Sequence, residues 1–525
     1  MRPLASQTFL LAQNRVPSLI FGIAVVGGTV LRLWHLTAES LWLDEVFSVW
    51  VARQPWSAFW HYVRLESHPP LYYLILRLWL AVFAPTGAAT EADLAARFLS
   101  AILSACIVPV AGVTAWRLRG PSCGAFTSLV FAVLPPLVRY GQEARMYAAS
   151  ALLAAIALAS ALLYAHTLRP RYVAVYTAAL IVAFYTHYYI ALLWPGFAIG
   201  LAVCRAGRPT YSAGTEGKGT NPPLTPLKAH LIIGTAFLPW LPMLLQQVKT
   251  NSHTHWLLNQ PKPDAGALVD YVRWCVGLED GMTAASAPLA TASYVIVFLC
   301  LLALVCGSGV VPPKTGTRQV NTIDILLPGT IVPLALALLV SQFKNIWQFK
   351  YLIGVVPCVG AWLVLVLECL RRKPTAFVLV GTCLLGTALG ATLANVGTMR
   401  PWNQEEWREA SAVVRTQLRP GDVCLVPEPV TLPPTWVCLE HYGIPRLYLL
   451  GVREDISRPE DKTVMNKVRV APRRLFLVTR FGNDGMVRTS VLAQTAWRET
   501  RRWSFRAVDV TLYERAPASE RKQVP

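Results

Sequence analysis

The stretch Ser40–Leu71, SLWLDEVFSVWVARQPWSAFWHYVRLESHPPL, decides how this chain is read. It follows the first long apolar run, is crowded with tryptophan, tyrosine and phenylalanine, and ends in His68-Pro69-Pro70. As a helix it puts Trp42, Val46, Val49 and Trp50 on one face at helical spacing. Asp44, Glu45 and Ser48 fill the narrow polar remainder. The pattern predicts a helix lying in a membrane interface with its acids turned away from lipid. The plainer alternative is a solvated loop that touches the bilayer.

The composition agrees with a membrane setting. Of 525 residues, 54% are hydrophobic and only 15% charged, and the mean hydropathy is +0.43. Several apolar runs approach the roughly 20 residues needed to cross a bilayer. The reading is an all-α polytopic membrane protein with a C-terminal soluble α/β domain. The net charge of +19 fits short basic loops beside anionic headgroups. No basic, aromatic-interleaved domain supports a nucleic-acid partner. The eleven cysteines show no metal-ligand spacing, and most sit in apolar runs as small hydrophobes. Cys424 and Cys438 could pair if the tail lies outside the cytoplasm, although sequence separation leaves their distance open. No cleavable signal peptide is evident after Arg15.

Charge sets the sidedness. Arg2 and Arg15 put the N-terminus in the cytoplasm, Ser18–Leu36 is the first span, and Thr37 onward lies outside. Leu71–Ala84 is apolar but short, with Arg77 in its middle. Runs of about 10–14 residues lie in the interface more often than they span. Arg97–Trp116 then returns inward, and Arg117 and Arg119 become cytoplasmic. Cys123–Val138, Tyr147–Thr167, Tyr172–Tyr185, Ile190–Val203, Ala229–Leu245, Ala287–Cys306, Ile325–Ser341, Tyr351–Cys369 and Phe377–Val396 complete about eleven spans at the usual length. The basic linker Arg205–Lys228, with Lys314 and Arg318, falls inside. Residues 1–396 are the membrane domain, with 37–96 as its outer loop of interfacial helices. Residues 397–525 form the extracytoplasmic tail. A helix over Glu405–Leu418 is followed by β-rich runs at Val423–Val426, Leu447–Leu450, Leu475–Thr479 and Val508–Tyr513.

With sidedness fixed, ionisable and aromatic residues collect at the outer ends of spans: Asp44, Glu45, His68, Arg139, Glu143, Arg145, Tyr147, His187, Lys344, Lys350 and Tyr351. Ionisable groups at membrane depth point to function. A carboxylate among cations suits group transfer to a hydroxyl, the carboxylate taking the proton and the cations holding a departing phosphate. Asp44 and Glu45 point about 100° apart on a helix, so one fits the base and the other a partner for a cation. Arg139 and Arg145 fit snorkelling equally, Lys344 and Lys350 headgroup anchoring, and His187 an interfacial histidine. His253 and His255 have metal-like spacing, a weak signal alone. Gly-rich phosphate loops are absent from the sequence, which argues against a nucleotide donor gripped by a soluble fold.

Four motifs in order carry a resemblance: Leu41-Trp42-Leu43-Asp44-Glu45, His68-Pro69-Pro70-Leu71-Tyr72-Tyr73, Arg97-Phe98-Leu99-Ser100-Ala101 and Tyr140-Gly141-Gln142-Glu143-Ala144-Arg145-Met146-Tyr147-Ala148. Together they resemble the GT-C superfamily of membrane glycosyltransferases, in the branch of protein O-mannosyltransferases and lipid A aminoarabinose transferases. The match is strong over 20–190 and weaker to about residue 400. The resemblance implies a polyprenyl-phosphate sugar donor, inverting transfer on the outer face, and a lipid, glycan or protein acceptor. It implies Asp44 as base, Glu45 as its partner and His68 near the donor phosphate, in a bacterial inner membrane. It implies no obligatory cofactor, a divalent metal remaining compatible. The β-trefoil insert of eukaryotic protein O-mannosyltransferases is absent. The rival classes are a transporter or lipid flippase, which would show broken helices in inverted repeats, and a non-catalytic assembly or sensor protein that binds through its tail.

Overall fold

The computed structural model describes residues 4–206, 225–250, 260–277, 322–371, 373–397, 405–428, 434–453, 459–470, 474–482, 487 and 497–515. The Ala287–Cys306 span, His253, His255, Lys314, Arg318 and most of the Arg205–Lys228 linker lie outside these residues.

Helix α1 (Leu4–Leu33) leads into three short helices, α2 (Leu43–Arg53), α3 (Trp56–Leu65) and α4 (Leu71–Phe83). At 13 residues, α4 is about 20 Å long, short of a bilayer core of about 30 Å. Its Arg77 donates to the Ala52 and Gln54 carbonyls at 3.0 and 2.5 Å, closing the C-terminus of α2. Then come α5 (Ala89–Ala105) and α6 (Ile107–Arg119), which together run as one apolar helix over Ala89–Arg119. This begins eight residues before the expected Arg97. The Ala-rich stretch favours helix, and its charges Asp93 and Arg97 are both neutralised by ion pairs.

Gly120, at φ 97°, and Pro121 at the first turn of α7 (Pro121–Val133) reverse the chain after α6. The two helices touch through small residues: a Cβ on Gly112 would sit 2.0 Å from Ser128 Oγ. A 55° bend at Leu134-Pro135 separates α7 from α8 (Pro135–Gly141). Pro135 and Pro136 lack the amides that would continue the ladder. After α9 (Tyr147–Thr167), α10 (Pro170–Phe184) and α11 (Ile190–Ala206) form a hairpin, followed by α12 (Pro226–Phe237) and α13 (Leu241–Thr250). The later helices over Ile323–Phe343, Val356–Leu370 and Pro374–Gly397 complete the described bundle. Among the described residues seven helices are long and apolar enough to cross a membrane, or eight if the bent pair is one span; α10 and α11 are apolar but shorter. The chain is a multi-pass membrane protein.

The tail carries a five-stranded sheet in the order β2-β1-β3-β5-β4. Strands β1 (Val423–Glu428), β2 (Leu449–Arg453) and β3 (Arg474–Arg480) are parallel, and β5 (Val508–Arg515) and β4 (Trp497–Phe505) are antiparallel. Three strands cover the expected apolar runs, and β2 begins two residues after the expected Leu447 because Arg446–Tyr448 form a 3-10 turn. The fifth, WRETRRWSF, is an exposed edge whose charges blunt further pairing. Cys424 and Cys438 are both buried free thiols.

The tail is not a detached domain. One hydrophobic core runs from α2 into the Trp436–His441 helix and β1. Asp93 of α5, fully buried, binds three tail groups: His441 Nε2 at 2.8 Å, Tyr442 Oη at 3.0 Å and Arg408 at 3.1 Å. Asp93→Ala strands these donors. The seam should weaken by about 2 kcal/mol, the scale of a hydrogen bond to a charge. Faster amide exchange over 436–443 is the expected readout, and unchanged exchange contradicts the tie.

Candidate active site

Helix α2 departs from the expected interfacial helix. Its polar side is not solvated: Glu45 and Ser48 are fully buried along with Val46, Phe47 and Val49. The reason is Arg97. Its guanidinium grips Glu45 bidentately, at 2.9 and 2.6 Å, and donates to the carbonyls of Leu36, Glu39 and Ser40. Glu45 also accepts from the Ala144 amide at 2.7 Å and the Trp42 amide at 3.2 Å. Every lone pair of Glu45 is thus engaged, and its geometry is that of a cation's partner.

Asp44 is different. It is only partly buried, and among the described residues no donor bonds to its carboxylate. Holding Ala144 fixes the next residue, Arg145, across α2, where it donates to Ser48 Oγ at 2.9 Å and the Asp44 carbonyl at 3.2 Å. Asp44 lies within electrostatic range of Arg145, Lys350, Tyr147, Tyr351 and His68.

Around it the other expected residues gather. The Leu71 amide bonds to the Tyr185 carbonyl at 3.0 Å, joining the start of α4 to the α10–α11 turn. The His68 and His187 rings are consequently 5.6 Å apart. Tyr351 lies 5.8 Å from His187 and 6.3 Å from Tyr147. Lys350 Nζ sits over the rings of Trp42, Tyr351 and Tyr147 at 5.4, 5.6 and 5.9 Å. Arg139 lies over Tyr140 at 5.4 Å, Glu143 is buried, and both lie within electrostatic range of Lys350. Lys344 is the exception: it is exposed at the end of the Ile323–Phe343 helix, and among the described residues it takes no part in the ring contacts of the cluster.

Three residues of the site carry no role in the sequence reading. Glu66 accepts from His68 Nδ1 at 3.0 Å, a partner readable two positions before the histidine. Tyr73, in the motif but given no role, and Tyr189, whose ring is 5.0 Å from Tyr351, complete the aromatic wall. Buried polar atoms on this wall stand without a hydrogen-bond partner among the described residues: Tyr73 Oη, His187 Nε2, Arg145 Nε and Trp42 Nε1. Such atoms are rare in native interiors and mark places where a polar ligand or water fits. No group of three metal-ligating side chains comes together among the described residues.

Burial holds His68 below the usual histidine range, with Glu66 partly offsetting it. Burial, aided by repulsion from His68, Arg145 and Lys350, holds His187 well below it. Both rings are therefore neutral at pH 7. With Nδ1–H given to Glu66, neutral His68 keeps Nε2 as a hydrogen-bond acceptor.

No family model and no curated relative matches the chain. Its structure superimposes on ArnT from Cupriavidus metallidurans bound to undecaprenyl phosphate with TM-score 0.57 and 13% identity, over 94% of this chain and 97% of that one. The apo form of that protein gives 0.57 and 13%, over 97% and 98%. The Archaeoglobus fulgidus oligosaccharyltransferase in complex with zinc and sulfate gives 0.47 and 11%, over 92% and 72%. The chain shares the overall fold of that ArnT structure.

Two outcomes follow. Arg97→Ala leaves Glu45 buried without its counter-charge, which should cost about 3–5 kcal/mol; a melting temperature equal to wild type contradicts this. For the histidines, a folded value below the unfolded one adds stability that is full above about pH 6.5 and is lost as pH falls through the folded values. His68→Gln with His187→Gln should flatten the loss of stability below about pH 6.5, measured by thermal unfolding. A variant profile as steep as wild type contradicts it.

Proposed function

We propose that the chain is an integral membrane glycosyltransferase of inverting type. It moves a sugar from a polyprenyl-phosphate donor to an acceptor hydroxyl on the outer face of the membrane, with lipid, glycan and protein all open as acceptors. In this reading about eleven spans put the N-terminus in the cytoplasm and the tail outside. The observation that carries it is the contrast between the two acids. Glu45 is spent on Arg97, while among the described residues the Asp44 carboxylate accepts no hydrogen bond and lies within electrostatic range of Arg145 and Lys350.

Asp44 takes the proton of the acceptor hydroxyl as its oxygen bonds to the anomeric carbon. The bond from that carbon to the phosphate oxygen breaks on the opposite face, and the electron pair leaves with polyprenyl phosphate. Arg145 and Lys350 stabilise the charge that accumulates on the phosphate, with His68 beside them. The Tyr73, Tyr147 and Tyr351 hydroxyls suit the sugar. The apolar bundle keeps the prenyl chain in the membrane while the headgroup reacts.

The test is Asp44→Asn in the purified full chain, assayed with a panel of polyprenyl-phosphate monosaccharides. Turnover should fall about 10²–10⁴-fold, the usual share of a general base, while undecaprenyl phosphate still binds. Normal turnover by the variant overturns the assignment.

A further inference from the structure

The tail reaches the first turn of α2 as closely as the membrane domain does. Glu405 is buried, and its Oε2 accepts the Leu43 amide at 3.1 Å, one residue before Asp44. The same oxygen accepts from Trp407 Nε1 at 2.6 Å, and Oε1 is held by Arg480 at 2.5 and 3.0 Å. Ser40 Oγ donates to the Glu405 carbonyl. The start of α2 is thus gripped by two arginine-clamped glutamates. Glu45 with Arg97 belongs to the membrane domain, and Glu405 with Arg480 belongs to the tail. Between them they hold the Trp42 and Leu43 amides, whose partners the helix backbone cannot supply.

We infer that Glu405 is a positioning residue for Asp44, so that the tail completes the active site rather than only decorating it. This rests on the reading of Asp44 as the base. A helix end without its cap frays, and the residue most exposed to that fraying is Asp44 in the first turn. The Trp407 and Arg480 bonds fix the rotamer of Glu405, so it supports α2 at one geometry. Asp93 with Arg408, His441 and Tyr442 holds the tail in place beside it. Glu405 is therefore the contact through which the docked tail reaches the base.

The experiment uses the full chain in lipid nanodiscs with four forms: wild type, Glu405→Ala, Glu405→Gln and Arg408→Ala. Arg408→Ala weakens docking without touching α2. Polyprenyl-phosphate release gives kcat and KM, undecaprenyl phosphate is the binding probe, and amide exchange at Leu43 reports the cap. For Glu405→Ala, kcat should fall about tenfold or more with KM and probe affinity nearly unchanged, and Leu43 should exchange faster. Glu405→Gln, which retains an acceptor oxygen, should recover part of both. Arg408→Ala should keep Leu43 protected and kcat near wild type. Wild-type kcat and Leu43 protection in Glu405→Ala overturn the inference, as does an equal loss of kcat in Arg408→Ala. Absence of turnover in wild type overturns the glycosyltransferase reading instead, and Leu43 exchange then decides the role of Glu405 by itself.

Discussion

The bidentate contact between Glu45 and Arg97 is the constraint on which the rest of this structure depends. Both side chains are almost wholly buried. Such a pair is tolerated only when every donor and acceptor is used, and here they are. Arg97 ties down the loop that leaves α1, and Glu45 ties down the Ala144 amide of the turn between α8 and α9. Three segments distant in sequence meet at one carboxylate. Arg145 lies across Asp44 because its neighbour is held there.

The surrounding helices make this meeting possible by approaching closely. Small residues bring α6 against α7, and Gly196 and Gly200 bring α11 against the Ile323–Phe343 helix, where a Cβ would fall 2.4 Å from the Pro328 carbonyl and 2.9 Å from the Asp324 carbonyl. The bend at Pro135 turns α8 so that the Gln142–Arg145 segment faces the bundle interior. Gln142 then closes the end of α1 by donating to the Leu31 and Trp34 carbonyls at 3.1 and 2.8 Å. In α1 itself, Arg32 is buried and spends its donors on Ser104 and on the carbonyls of Gly28, Phe131 and Ala132. That arginine is a fastener between α1, α5 and α7, and not part of the site.

Local pattern and charge made much of this legible. Hydropathy gave the helical bundle, and the order of four short motifs placed Asp44, His68, Arg145 and Tyr147 in one resemblance. What the sequence could not show was which polar groups are already spoken for. Asp44 and Glu45 look alike in a window of ten residues, and the partner that separates them is Arg97, 52 positions on. Lys344 and Lys350 both flank Trp347, yet only Lys350 turns toward the aromatic rings. Helical periodicity places Glu45 and Ser48 on a polar face turned away from lipid, but their burial follows from the partners Arg97 and Arg145, which periodicity does not show. The edge strand β4 carries too few apolar residues to read as a strand. Glu405 gives no signal at all, since its contact with Leu43 spans 362 positions.

A structure of the full chain with a non-transferable polyprenyl-phosphonate sugar tests the account most directly. It predicts the phosphonate within hydrogen-bonding distance of Arg145 or Lys350, and the anomeric carbon facing Asp44 from the side opposite the phosphonate. A headgroup bound elsewhere, or one that displaces Arg97 to reach Glu45, would contradict it.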